Sequence, residues 1–171
     1  MNILELLQTD NSRSMANSIV DYIGKDSTRM EALMQCFFSE EKMLCQRASW
    51  PLTLIADDYP EMVLPYLPDM IKTLDKPKHN AVVRNVVRVL QNIDIPEDLE
   101  GEVYERCFLL LIAPSEPAAN RVFSMTTCVN IALKYPELKE ELVATIEEHM
   151  PHASAGFRSR GKKEILRLQS K

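Results

Sequence analysis

Apolar residues in this chain return every three or four positions, the spacing that lays one stripe along an α-helix. Leu138, Leu142, Val143, Ile146 and Met150 form such a stripe, with glutamates on the opposite side. Val83, Val86, Val87, Leu90 and Ile93 form another, beside a polar ridge of Arg84, Arg88 and Gln91. The β-branched content of residues 82–90 would suit a strand, but their period is that of a helix. Read along the chain, the pattern predicts helices at about 28–38, 40–58, 60–75, 79–94, 97–112, 117–134, 136–149 and 153–169. Two N-terminal segments, about 3–8 and 12–24, precede them, the second ending at Gly24, a residue suited to a C-cap. Pro65 and Pro68 each delete a backbone donor and are expected to split the helix that begins at Pro60; Pro51 is expected to disturb the helix carrying Trp50.

These helices come in a repeating order. Arg47, Arg84, Arg121 and Arg158 recur every 37 residues. Tyr59-Pro60-Glu61, Ile95-Pro96-Glu97 and Tyr135-Pro136-Glu137 recur alongside them. Proline is tolerated in a first helical turn, and the glutamate after it complements the positive end of the helix dipole. Each Pro-Glu thus marks a helix start about a dozen residues after an arginine, which gives two helices per repeat. A period of this length signals a solenoid, whose units bury their apolar faces only by stacking. The expected architecture is all-α: one domain over residues 1–171, with residues 1–26 as an N-terminal cap and 27–171 as four helix pairs.

Composition narrows the function more than the fold. With 26% charged residues and a net charge of −5, the chain is not a uniformly basic nucleic-acid binder. The charges are segregated, however. Glu137, Glu140, Glu141, Glu147 and Glu148 face a single Lys139, whereas Arg158, Arg160, Lys162, Lys163, Arg167 and Lys171 face a single Glu164. Cys36, Cys45, Cys107 and Cys128 show no C-x-x-C spacing and sit in apolar helical stretches, so they are expected to be buried thiols. The N-terminus lacks the basic start and apolar run of a signal peptide, and no stretch reaches the roughly 18 apolar residues of a membrane span. A cytoplasmic location is the expectation.

The segments HNAVVRNVVRVLQNI, EPAANRVFSMTTCVNIA and EEKMLCQRASWPLTLIA resemble the second helix of HEAT repeats, in the wider armadillo-like class. ASAGFRSRGKKEILRL fits more loosely, with Gly161 in mid-helix. The resemblance covers about residues 28–169. It implies a right-handed superhelix with the second helices on its concave side, and a structural arginine ladder of Arg47, Arg84, Arg121 and Arg158 joined to acidic or amide residues of neighbouring turns. The Asp usual before the second helix is replaced by Asn80 in one repeat and Glu116 in another, and is missing near His152.

Candidate chemistry is sparse. His149 and His152 flank a helix end with no third metal ligand in view, so a solvated terminus is expected and no metal or cofactor is assigned. Asp57-Asp58 and Glu40-Glu41 are adjacent pairs, which on a helix do not face each other. No catalytic residue is assigned. Trp50 aligns with Val87 and Ser124 and is expected mainly to pack. Its neighbourhood only distantly resembles the tryptophan and aspartate of HEAT-like alkylpurine DNA glycosylases, because Leu54, not an aspartate, stands one turn on. The basic residues are the better site. Arg84 with Arg88, and Arg158 with Lys162, are i, i+4 neighbours. With Arg121 they would form a cationic stripe on the concave face. The leading expectation is a non-enzymatic scaffold that binds a protein or peptide there. The alternative is a nucleic-acid-binding relative of the glycosylases, using the same stripe on phosphates. A third expectation is an accessory subunit that packs through Phe157 and the terminal helix.

Overall fold

The computed structural model describes residues 1–170. Among them regular structure is entirely helical: ten α-helices and four short 3₁₀ turns, with no strand. They gather into two compact units, Met1–Ile93 and the part that begins at Asp94.

The first unit contains α1 (Ile3–Thr9), α2 (Arg13–Ile23), α3 (Ser27–Phe37), α4 (Lys42–Asp58), α5 (Leu67–Lys72) and α6 (Asn80–Asn92). The early helices start where short polar side chains satisfy free amides. Ser12 Oγ accepts from the Met15 amide at 3.1 Å, and Asp26 Oδ1 from the Arg29 amide at 3.1 Å. Gly24 ends α2 at φ +49°, a conformation that a Cβ would strain. Between α4 and α5 the expected helix is broken into two 3₁₀ turns, Pro60–Met62 and Leu64–Tyr66, because Pro65 and Pro68 cannot donate to an α-helical ladder.

Pro51 behaves differently from the expectation. α4 runs unbroken from Lys42 to Asp58 with Pro51 inside it. The reason lies in its surroundings: α1, α2, α3 and α6 all pack on α4, and the Pro51 ring is buried. Packing from these four helices holds a helix that local preference would weaken. α6 settles the strand-or-helix ambiguity in the same way, burying Val82, Val83, Val86, Val87, Val89 and Leu90 along one stripe.

The second unit contains α7 (Glu97–Ile112), α8 (Ala118–Ala132), α9 (Lys139–His149) and α10 (Ala155–Gln169). Here α8 is central, with α7, α9 and α10 packed on it. Pro96 caps α7, and Glu97, Asp98 and Glu100 occupy its first turn, as the dipole favours. Pro136 and Glu137 open the turn that leads into α9. The mid-helix Gly161 is explained by contact: a Cβ there would lie 3.0 Å from Ile146 Cγ2 and 3.1 Å from Met150 Sδ. The absent side chain lets α10 lie close against α9.

All four cysteines are buried free thiols. Burial pushes the Cys107 thiol up to about 12 and raises Cys128 well above its ordinary value, so both behave as small apolar groups.

Candidate functional site

In each unit, polar side chains join consecutive second helices. Between α4 and α6, Ser49 Oγ accepts from Asn85 Nδ2 at 2.7 Å. Two turns on, Asp57 accepts from Arg88 Nη2 at 2.9 Å and from Asn92 Nδ2 at 3.0 Å. Ser49, Thr53 and Asp57 stand at i, i+4 and i+8 on α4, so they form one column facing Asn85, Arg88 and Asn92. Between α8 and α10, Thr126 donates to Glu164 at 2.8 Å and accepts from Arg160 at 2.6 Å. Arg167 bridges Glu164 at 2.6 Å and Asn130 at 2.8 Å. Glu164 is only 3% exposed, so these donors replace the water it has lost.

A third network ties the foot of α7 to the end of α8. Glu100, also 3% exposed, accepts from Lys134 Nζ at 2.6 Å and from the Tyr135 hydroxyl at 2.6 Å. These two hydrogen bonds hold its carboxyl below the ordinary glutamate range.

The four periodic arginines stand apart from these ladders. Arg47 donates to the carbonyls of Leu7 at 2.8 Å and Gln8 at 3.0 Å, closing the C-terminal end of α1. Arg121 does the equivalent for α7, with Nε donating to the Leu111 carbonyl at 2.8 Å. Its guanidinium lies over the Phe157 ring, 4.5 Å from the centroid, and is 8% exposed; burial lowers its pKa. Arg158 donates to the Ala153 carbonyl just before its own helix. Arg84 is exposed and makes no hydrogen bond or ion pair to any described residue. The partners of Arg47, Arg121 and Arg158 are thus backbone carbonyls; the acids and amides Asp57, Glu164 and Asn130 meet Arg88, Asn92 and Arg167 instead.

The expected binding residues separate in the same way. Arg84 and Arg88 come together. They line a hollow of about 350 Å³ with Asn11, Gln46, Trp50, Ala81 and Asn85. Trp50 is partly exposed there, whereas Val87 and Ser124 are fully buried. In the second unit, Arg158 and Lys162 are exposed on α10, whereas Arg121 is buried. Phe157 is 1% exposed and lies under Arg121, so it offers no surface for a partner or a base.

His149 Nδ1 meets the Thr145 carbonyl at 2.9 Å, and His152 is exposed. Among the described residues no three His, Cys, Asp or Glu side chains converge as a metal site would require. No helix among them is long and apolar enough to cross a membrane. The sequence reading missed the two inter-helix ladders and the Glu100 network. The signal of the first ladder was present in the regular spacing of Ser49, Thr53 and Asp57 along α4.

Paired helices whose second members are joined by polar ladders define a helical-repeat fold. The family model of the HEAT repeat domain matches residues 3–167. The chain belongs to the HEAT repeat family. No curated protein and no solved structure gives a match.

Proposed function

We propose that the chain is a non-enzymatic scaffold that binds a protein or peptide partner through the exposed side of its second helices. The observation that carries this reading is how the polar residues of those helices are used. Many of them hold helix to helix, and among the cations left over, Arg84 on α6 and Lys162 on α10 stand in solvent with no acidic partner among the described residues. Repeat proteins present extended surfaces of this kind for recognition. The structural role of Arg121 follows from its burial on Phe157, and Arg88 is half-committed to Asp57. The informative variant is therefore Arg84→Glu with Lys162→Glu.

That double variant is expected to keep its helical circular dichroism and thermal midpoint while losing the partner that the wild-type chain captures from its native host. Capture of the same partner by both proteins would move the binding surface elsewhere. A steep salt-dependent affinity for single-stranded or duplex oligonucleotides, with no protein partner, would replace this reading with nucleic-acid binding.

A further inference from the structure

We infer that Trp50, Arg84 and Asn85 form a seat for an acidic residue in an extended segment of a partner protein. The inference rests on the scaffold reading above and specifies its ligand.

The hollow between α4 and α6 is lined by two arginines, three amide side chains, Ala81 and the only tryptophan of the chain; no acidic residue lines it. Arg88 is already engaged, through Nη2 on Asp57 at 2.9 Å and through Nη1 toward Thr53 at 3.4 Å. Arg84 has no partner among the described residues, so its guanidinium is the free cation of the site. A planar guanidinium fits a carboxylate two bonds at a time.

Asn85 supplies the opposite polarity. Its Nδ2 is used on Ser49 Oγ, and that assignment is fixed because Ser49 in turn donates to the Gln46 carbonyl at 2.6 Å. The Oδ1 of Asn85 is therefore left as an acceptor beside a cationic donor. A carboxylate side chain on an extended main chain offers both complements: acceptor oxygens for Arg84 and a backbone N–H for Asn85. A phosphodiester offers only acceptors, and would leave the Asn85 oxygen without a donor. The half-buried Trp50 ring gives a flat apolar wall for the side-chain stem or the peptide plane.

Because Trp50 is the only tryptophan, its emission reports occupancy of this hollow directly. The probes are a peptide of six Glu-Ser repeats, the matching Gln-Ser peptide, and a twelve-residue oligothymidine. The Glu-Ser peptide is expected to shift Trp50 emission in the wild-type protein. Arg84→Glu, on an exposed side chain, is expected to weaken that binding at least tenfold with no change in thermal midpoint, and Asn85→Ala about threefold. The Gln-Ser peptide is expected to bind at least tenfold more weakly than Glu-Ser. Equal binding of the two peptides, an Arg84→Glu variant that binds like wild type, or no emission change up to millimolar Glu-Ser peptide would each overturn the seat. So would oligothymidine binding more tightly than Glu-Ser. If the native partner is captured equally well by wild type and Arg84→Glu, the seat fails while the scaffold reading stands.

Discussion

In the unit formed by Met1–Ile93, the periodic arginine of α6, Arg84, remains in solvent beside Trp50. In the unit that begins at Asp94, its counterpart on α8, Arg121, is buried on the Phe157 ring and donates to the end of α7. The two residues stand one repeat apart and share a residue type, yet their surroundings give them unlike tasks. What differs is the company of the helix. α8 has an aromatic residue on the following helix to cover its arginine. α6 has a polar column, and the cation beside that column is left outside. A repeated residue type thus fixes where a side chain emerges, while the helices packed against it within its unit decide whether it is buried or left in solvent.

The sharpest way to break this comparison is to reverse the charge at both positions. Arg121→Glu would place an uncompensated carboxylate in a buried site and is expected to cost about 3–5 kcal/mol of unfolding free energy. Arg84→Glu, at an exposed site, is expected to stay within about 0.5 kcal/mol of wild type. Urea unfolding followed by circular dichroism measures both. Similar losses for the two variants would mean that the arginines share one structural role.

A somewhat smaller effect is expected at the close approach of α10 to α9. Gly161→Leu forces side-chain atoms into the space held by Ile146 and Met150, and overpacking of that kind is expected to cost about 1–3 kcal/mol. The contrast with Gly24 is instructive. Gly24 has nothing within 4 Å of a built Cβ, so Gly24→Ala would be penalised only through its positive φ, by about 1–2 kcal/mol. Thermal unfolding of the two variants separates a packing glycine from a conformational one.

The Glu100 network gives the second unit a pH signature. Its carboxyl is held below the ordinary glutamate range by Lys134 and Tyr135, with repulsion from Asp94 opposing them. The stabilisation is therefore complete above the ordinary carboxylate pKa and disappears as pH falls through the lowered folded value. At the alkaline end Lys134 and Tyr135 are both raised, so their share is complete below their ordinary values and disappears as pH rises toward the folded ones. Glu100→Gln is expected to cost about 1 kcal/mol at neutral pH, discounted because Lys134 is half-exposed, and to flatten the acid limb of the stability profile. An unchanged acid limb in this variant would assign that pH dependence to other carboxylates.

Much of this fold was legible in the chain because helices, their starts and their interruptions depend on neighbours in sequence. The Pro-Glu starts at Pro60, Pro96 and Pro136, the Gly24 end and the break at Pro65 and Pro68 all follow from local backbone chemistry. The continuity of α4 through Pro51 was not legible, since it depends on helices brought in from four separate stretches. The candidate site was half legible. The spacing of Arg84 and Arg88 put both on one face, but nothing local told that Arg88 would be held by Asp57, that Phe157 would cover Arg121, or that Trp50 would line the hollow beside Arg84. Those are facts of pairing between helices that lie far apart in the chain, and no pattern within one helix carries them.

The finest test of the comparison lies in the ladders themselves. In the first unit the rung between Asn85 and Ser49 is neutral, and Ser49 is fully buried but keeps a second partner in the Gln46 carbonyl. Asn85→Ala therefore removes one net hydrogen bond without stranding a buried hydroxyl, and is expected to cost about 0.5–1 kcal/mol, independent of salt. The next rungs, Arg88 on Asp57, join charges that are each about one-third exposed, so Arg88→Ala should cost a comparable amount at low salt and less as ionic strength rises. Measuring both variants in urea at low and high salt separates a rung made of dipoles from one made of charges. If Asn85→Ala shows the salt dependence and Arg88→Ala does not, the assignment of the two rungs is reversed, and the acceptor left on Asn85 for a bound peptide disappears with it.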